Sequence, residues 1–130
     1  MPAIKAVEPR IEVEDVQRSA RFYADMLGFN TSVLWPEGSP EFAILHRDGV
    51  RLQLVKSSQE DKASSSLWLD VADIGDFLAA TRQRARIEWG PEVFFYQRRE
   101  FAFRDPDDHL IILSEITTDP PTCAAGSASD

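Results

Sequence analysis

Three tryptophans, two histidines and one cysteine bound the chemistry that these 130 residues can carry. Trp35, Trp68 and Trp89 offer aromatic faces, which stack planar ligands and attract cations. His46 ends an apolar stretch, His109 begins one after a turn, and Cys123 lies in a small-residue tail. No nucleophile–base constellation can be assembled from that set, so no catalytic residue is expected. The remaining candidates are polar residues at every second position: Glu8, Arg10 and Glu12, then Arg51 and Gln53, then Ser66 and Asp70 either side of Trp68. Strand periodicity puts each set on one face. The plain reading is a solvated sheet face on which Glu8 or Glu12 pairs with Arg10 or Arg51. Arg98 and Arg99 read as a solvated pair.

The elements that would position these residues follow from local pattern. Lys5 to Val13 alternates, with Val7, Ile11 and Val13 on the side opposite Glu8, Arg10 and Glu12, which predicts a strand covered on one face. Asp15 is a good N-cap for a helix carrying Val16, Ala20, Tyr23 and Leu27, and Gly28 suits its C′ position. Phe29 to Trp35 reads as a strand, and Pro36 to Pro40 as a loop. Glu41–His46 and Val50–Lys56 flank Arg47-Asp48-Gly49, a hairpin signal. Ser57 to Ala63 is the expected linker. Ser66–Val71 alternates again, ahead of a helix from Ile74 to Arg84 with Asp73 as N-cap and Asp76 in a weak capping box. Gly90-Pro91 is expected to break any regular element between Ile87 and Phe95. Arg99–Arg104 and Leu110–Ile116 are strands around the turn Asp105–Asp108, and residues 117–130 read as a disordered tail.

The order is written twice. Asp15 and Asp73 open the two helices 58 residues apart, and Gln53 and Ile112 sit centrally in matching apolar runs 59 apart. Recurrence at near-constant offset marks two copies of one supersecondary unit. Length and 43% hydrophobic content suit one domain with a real core. The net charge of −8 disfavours nucleic acid and would attract cationic ligands. Neither a membrane-length apolar run nor a signal-peptide core is present, so a cytoplasmic location without membrane partners is expected.

Asp15, Ser19, Phe22, Tyr23, Leu27, Gly28 and Phe29 resemble the helix signature of the glyoxalase/bleomycin-resistance/dioxygenase group, the vicinal-oxygen-chelate superfamily. Phe101 to Ile111, with Asp105-Pro106-Asp107, is similar to the companion turn and strand, although Asp108 stands where glycine is usual. The resemblance covers about residues 5 to 116. It implies an α+β fold of two βαβββ modules in one chain, about 5–57 and 64–116, whose curved mixed sheets enclose a cleft. Glu8, Arg10, Glu12, Arg51, Gln53, Ser66, Trp68 and Asp70 would then share the concave side, with Ile11, Val13, Leu52, Leu54, Leu67 and Leu69 covering the helices.

Enzymes of this group hold a divalent metal at four strand positions, since vicinal substrate oxygens must meet a metal carrying three or four N or O donors. Those positions fall here on Glu8, Gln53, Ser66 and Ile112. Glu8 and Gln53 could ligate; serine is a poor ligand and isoleucine is none. The expectation is therefore no metal and no cofactor, with one divalent metal on Glu8 and Gln53 as the alternative. Among branches, acidity and Arg99-Glu100-Phe101 most resemble the bleomycin-resistance type, which implies an antibiotic-sequestering homodimer. The expected ligand is a small cationic or aromatic molecule bound by Glu8, Arg10, Trp35, Gln53, Ser66, Trp68, Asp70 and Ile112. A metal-dependent lyase, isomerase or ring-cleaving dioxygenase is the alternative function.

Overall fold

The computed structural model describes residues 1–57 and 63–122. Most of the expected linker and the end of the expected tail, including Cys123, lie outside them. The chain forms two units, Met1–Ala63 and Ser64–Asp130. Each is a four-stranded mixed sheet with one helix, giving the α+β class and the two βαβββ modules expected.

The first unit holds β1 (Arg10–Val13), α1 (Val16–Leu27), β2 (Asn30–Trp35), β3 (Phe42–Arg47) and β4 (Val50–Lys56), in sheet order β1-β4-β3-β2. Asp15 caps α1 as expected: its side chain accepts the Arg18 N–H at 3.0 Å, and Gly28 ends the helix at φ 73°. Val16, Ala20, Tyr23 and Leu27 of α1 are buried, as are Ile11, Val13, Ala43, Leu45, Leu52 and Leu54 of the sheet. The strand expected from Lys5 shortens to Arg10–Val13, and Val7 is 88% exposed rather than in the core. Pro9 offers no N–H to a ladder, and its carbonyl makes one bond, from the Gln53 N–H at 2.9 Å. Asp48 and Gly49 turn the β3–β4 hairpin with φ 51° and 79°, the left-handed pair that a two-residue connection requires.

The second unit holds β5 (Ser66–Asp70), α2 (Ile74–Arg82), β6 (Ile87–Phe94), β7 (Arg98–Arg104) and β8 (Leu110–Ile116), in order β5-β8-β7-β6. Its core contains Leu67, Ile74, Phe101, Phe103, Ile111 and Leu113. Three expectations change here. Asp73 is not a side-chain cap and forms no capping box with Asp76; it is left-handed, φ 57°, with no side-chain bond to the helix. The Glu115 carboxylate of β8 instead accepts the Asp73 and Ile74 N–H groups at 3.0 and 3.2 Å. Gly90-Pro91 does not break β6; the ladder shifts register there, which an edge strand accommodates because proline costs it no inner bond. Residues 117–122, though in no helix or strand, are tied back by Thr117 N–H to Gln97 C=O and Thr122 N–H to Val93 C=O.

The repeat extends to register. Arg10 pairs with Gln53 in parallel, and Trp68 with Ile112; Gln53 faces Ile44, and Ile112 faces Ala102. Asp108 at φ 66° is left-handed, as the missing glycine implied.

Candidate ligand-binding faces

Each sheet carries its helix on one face and leaves a row of mixed side chains on the other. In the first unit that open face runs Arg10, Gln53, Ile44 and Val33 across the strands, with Glu12, Val55, Phe42 and Trp35 as the next row. The first row is organised by one amide. Gln53 Oε1 accepts from Arg10 Nε at 2.9 Å, and Gln53 Nε2 donates to Glu8 Oε1 at 3.0 Å. Glu8 Oε2 lies 3.0 Å from Arg51 Nε, so the pairing expected of Glu8 is with Arg51. The Arg10 guanidinium also lies over the Phe42 ring, 5.6 Å from its centroid. Trp35 ends β2 opposite Phe42 and is 64% exposed.

The open face of the second unit is built around Glu100. Strand alternation in β7 puts Arg98, Glu100, Ala102 and Arg104 on one side and Phe101 and Phe103 on the other. Glu100 is only 3% exposed, yet its carboxylate has three donors. Trp68 Nε1 donates at 3.0 Å, Ser114 Oγ at 2.9 Å and the Tyr96 hydroxyl at 2.9 Å. Phe95, Tyr96 and Gln97 form the β6–β7 connection, with Gln97 left-handed, and Tyr96 stacks on Phe94 at 5.6 Å. That loop aims the Tyr96 hydroxyl at Glu100.

Trp68 is 51% exposed, so it is not a core residue. The Arg98 guanidinium lies over the indole, 5.0 Å from the centroid, donates Nε–H to Ser114 Oγ at 2.9 Å, and pairs with Asp70. Arg98 is therefore not half of a solvated pair, and Arg99 pairs with Asp119. Ring orientation is fixed by the N–H bond at one end and the stacked cation on one face. Trp89 is half-buried against Phe94, at 6.0 Å. His109 is fully buried and its Nδ1 accepts the Ser65 N–H at 2.9 Å, a structural role.

The eight expected ligand residues thus fall into two groups. Glu8, Arg10 and Gln53 are joined in one network, with Trp35 elsewhere on the same sheet. Trp68 neighbours Ile112, and Asp70 neighbours Ser114, while Ser66 lies exposed opposite Leu110. Glu100, Tyr96, Arg98 and Ser114 were missed. The available signal was the alternation through β7, which sets Glu100 on the face of Trp68. At the four positions that the resemblance makes metal ligands, only Glu8 and Gln53 carry good donors, and the two are bonded to each other and paired with arginines. Among the described residues no three His, Cys, Asp or Glu side chains are grouped to hold a metal ion.

The profile of the Glyoxalase/Bleomycin resistance protein/Dioxygenase superfamily matches residues 5–113. The chain belongs to that superfamily. Its fold recurs in a virulence protein from Salmonella typhimurium, 24% identical with a TM-score of 0.71, over 90% of this chain and 100% of that one. It recurs also in a bleomycin resistance determinant encoded on transposon Tn5, 21% identical, TM-score 0.71, over 87% and 98%. A lactoylglutathione lyase from Agrobacterium tumefaciens is 14% identical, TM-score 0.72, over 88% and 96%. No curated protein matches the sequence. At these identities the neighbours share the fold, and the superfamily spans binding proteins and enzymes. Among the described residues no helix is long and apolar enough to cross a membrane.

Proposed function

We propose that this protein binds a small cationic or planar aromatic molecule without a metal or other cofactor and without transforming it, a sequestering role of the kind that bleomycin-resistance proteins perform. The observation that carries this reading is Trp68: a half-exposed indole held in one orientation by buried Glu100 and by Arg98. A pre-oriented ring loses little freedom when a ligand stacks on it. The donor chemistry supports metal independence, because Ile112 offers no donor, Ser66 a weak one, and Glu8 is engaged by Arg51. The net charge of −8 favours a cationic partner. A cytoplasmic homodimer that protects against an antibiotic is the setting this reading supposes. Sedimentation at micromolar concentration is expected to give twice the chain mass, and a monomer alone would remove the dimer.

Titration with a bleomycin-class drug is expected to quench tryptophan fluorescence and to raise the melting temperature. Trp68→Ala should weaken binding about ten-fold, since stacking and cation–π contact are together worth about 1–2 kcal/mol. Absence of any ligand-induced shift in the wild type would sink the drug-binding reading. Plasma mass spectrometry finding about one metal per chain, lost in Glu8→Ala, would replace it with a metal-dependent lyase, isomerase or dioxygenase.

A further inference from the structure

The segment that follows β8 turns back and is anchored at three points of the second unit. Thr117 extends the β7–β8 ladder by one bond, its N–H donating to the Gln97 carbonyl at 3.0 Å. Its hydroxyl accepts the Asp119 N–H at 3.1 Å, which turns the chain. Asp119 then pairs with Arg99, which stands on the side of β7 that carries Phe101. Pro120 and Pro121 stiffen the next step. Thr122 reaches the edge of β6, the last strand of its sheet. There its N–H donates to the Val93 carbonyl and its hydroxyl accepts the Val93 N–H, both at 2.8 Å. The same hydroxyl donates to Glu92 Oε2 at 2.8 Å.

Between these anchors lies the β6–β7 connection. Val93 precedes it, Gln97 ends it and Arg99 follows, so both of its stems are fixed from outside. The connection needs such support, because Gln97 is left-handed at φ 64°, which residues with a Cβ adopt only at a cost. Its own backbone closure is the bond from Gln97 N–H to Phe94 C=O at 3.0 Å. The connection carries Tyr96, whose hydroxyl reaches Glu100, and Glu100 in turn accepts the Trp68 indole N–H. A run of direct bonds and chain neighbours thus leads from Thr122 to the exposed indole.

We propose that residues 117–122 are a clasp on the β6–β7 connection, a conformational control through which the C-terminal segment sets how firmly Tyr96, Glu100 and Trp68 are held. Closed, as in the structure, the clasp keeps the indole in one orientation. Opening it would let Gln97 leave the left-handed region, draw the Tyr96 hydroxyl off Glu100 and loosen the indole bond. The change is confined to one hairpin and its strap, a unit small enough to open without the core. The clasp stands on its own bonds; only its effect on ligand affinity rests on the reading of Trp68 as the stacking residue. A plainer role, covering the β6 edge against strand pairing, predicts no effect at Trp68.

The test uses Thr122→Pro in the full chain, which removes both the N–H donor and the hydroxyl. Order parameters from ¹⁵N relaxation are read at Phe95, Tyr96 and Gln97, at the Trp68 indole nitrogen, and at Ile111 and Leu113 of β8. In the wild type all should lie near the rigid value of about 0.85, and in Thr122→Pro the connection should fall to about 0.6. The Trp68 indole should fall with it, while Ile111 and Leu113 stay unchanged, which a general loss of stability would not produce. Arg99→Gln should move the same residues in the same direction by less, and it carries the test if the proline variant fails to fold. Thr122→Ser keeps both bonds and should match the wild type. Titrated with a bleomycin-class drug, Thr122→Pro should bind about three-fold or more weakly, because a loosened ring must be ordered on binding. Should no drug bind the wild type, the sequestering reading falls and the clasp is still decided by the order parameters. A Trp68 indole as rigid in Thr122→Pro and Arg99→Gln as in the wild type would overturn the clasp. So would self-association of Thr122→Pro with Trp68 unmoved, which would leave the segment as an edge cover only.

Discussion

Glu100 is the residue whose replacement separates two accounts of the second unit most cleanly. Its carboxylate is 3% exposed and accepts from Trp68, Ser114 and Tyr96, with no cation bonded to it directly among the described residues. Glu100→Gln retains the shape. Its Oε1 can replace the oxygen that serves both Trp68 and Ser114, while its amide donates to the Tyr96 hydroxyl, which can turn its own hydrogen toward solvent. All the pairs survive and only their charge-assisted strength is lost, so the expected cost is below about 1 kcal/mol. Glu100→Met keeps length and volume but removes every acceptor. Ser114 is fully buried; its oxygen still accepts from Arg98 Nε, but leaving its O–H without an acceptor costs about 1–3 kcal/mol, while Trp68 and Tyr96 are half-exposed and can turn to water for less. Relief from burying a carboxylate offsets part of that, leaving about 1–3 kcal/mol. Urea unfolding curves with matched slopes would measure both values. A methionine variant as stable as wild type would refute the reasoning, for it would mean that desolvation outweighs the three bonds. So would a glutamine variant that loses as much as methionine. A cycle pairing Glu100→Met with Trp68→Phe should give a coupling of about 1 kcal/mol, the share of the indole bond alone.

Thr81 is 1% exposed and its hydroxyl has no partner among the described residues, so Thr81→Val should raise stability by about 1 kcal/mol in thermal or urea unfolding. Because Glu115 caps α2, Glu115→Ala should cost about 1 kcal/mol, whereas Asp73→Gly should be neutral or stabilising by relieving a left-handed aspartate; the reverse order would restore Asp73 as the cap.

How legible each part was depends on whether its cause is local. The first helix could be read outright because Asp15, its apolar stripe and Gly28 act within three or four residues of where they stand. The second helix could be read to start at Ile74, as it does, but what caps it was not legible, since the cap comes from Glu115, more than 40 residues along the chain. β6 was obscured for a related reason: Gly90-Pro91 looks like a breaker, and only a place at the sheet edge makes it harmless. Val7 failed in the other direction, because its alternation with Ile11 is real but Pro9 stops the ladder short of it.

The amino-acid sequence alone determined the two-module plan, the family and the side of each sheet on which Glu8, Arg10, Gln53, Trp68 and Asp70 stand. Those follow from offsets of 58 and 59 residues and from period-two alternation, both carried by neighbours along the chain. Which side chains meet on those faces was decided only by the tertiary structure. Glu100 between Arg99 and Phe101 has the appearance of an ordinary surface residue until pairing of β5, β8 and β7 brings Trp68 and Ser114 to it. Likewise Arg10, Gln53, Glu8 and Arg51 become one network only when β1 pairs with β4 in the observed register. A hydrogen bond reaches about 3 Å, so it depends on register between strands, and a one-residue slip would carry every one of these partners to the opposite face.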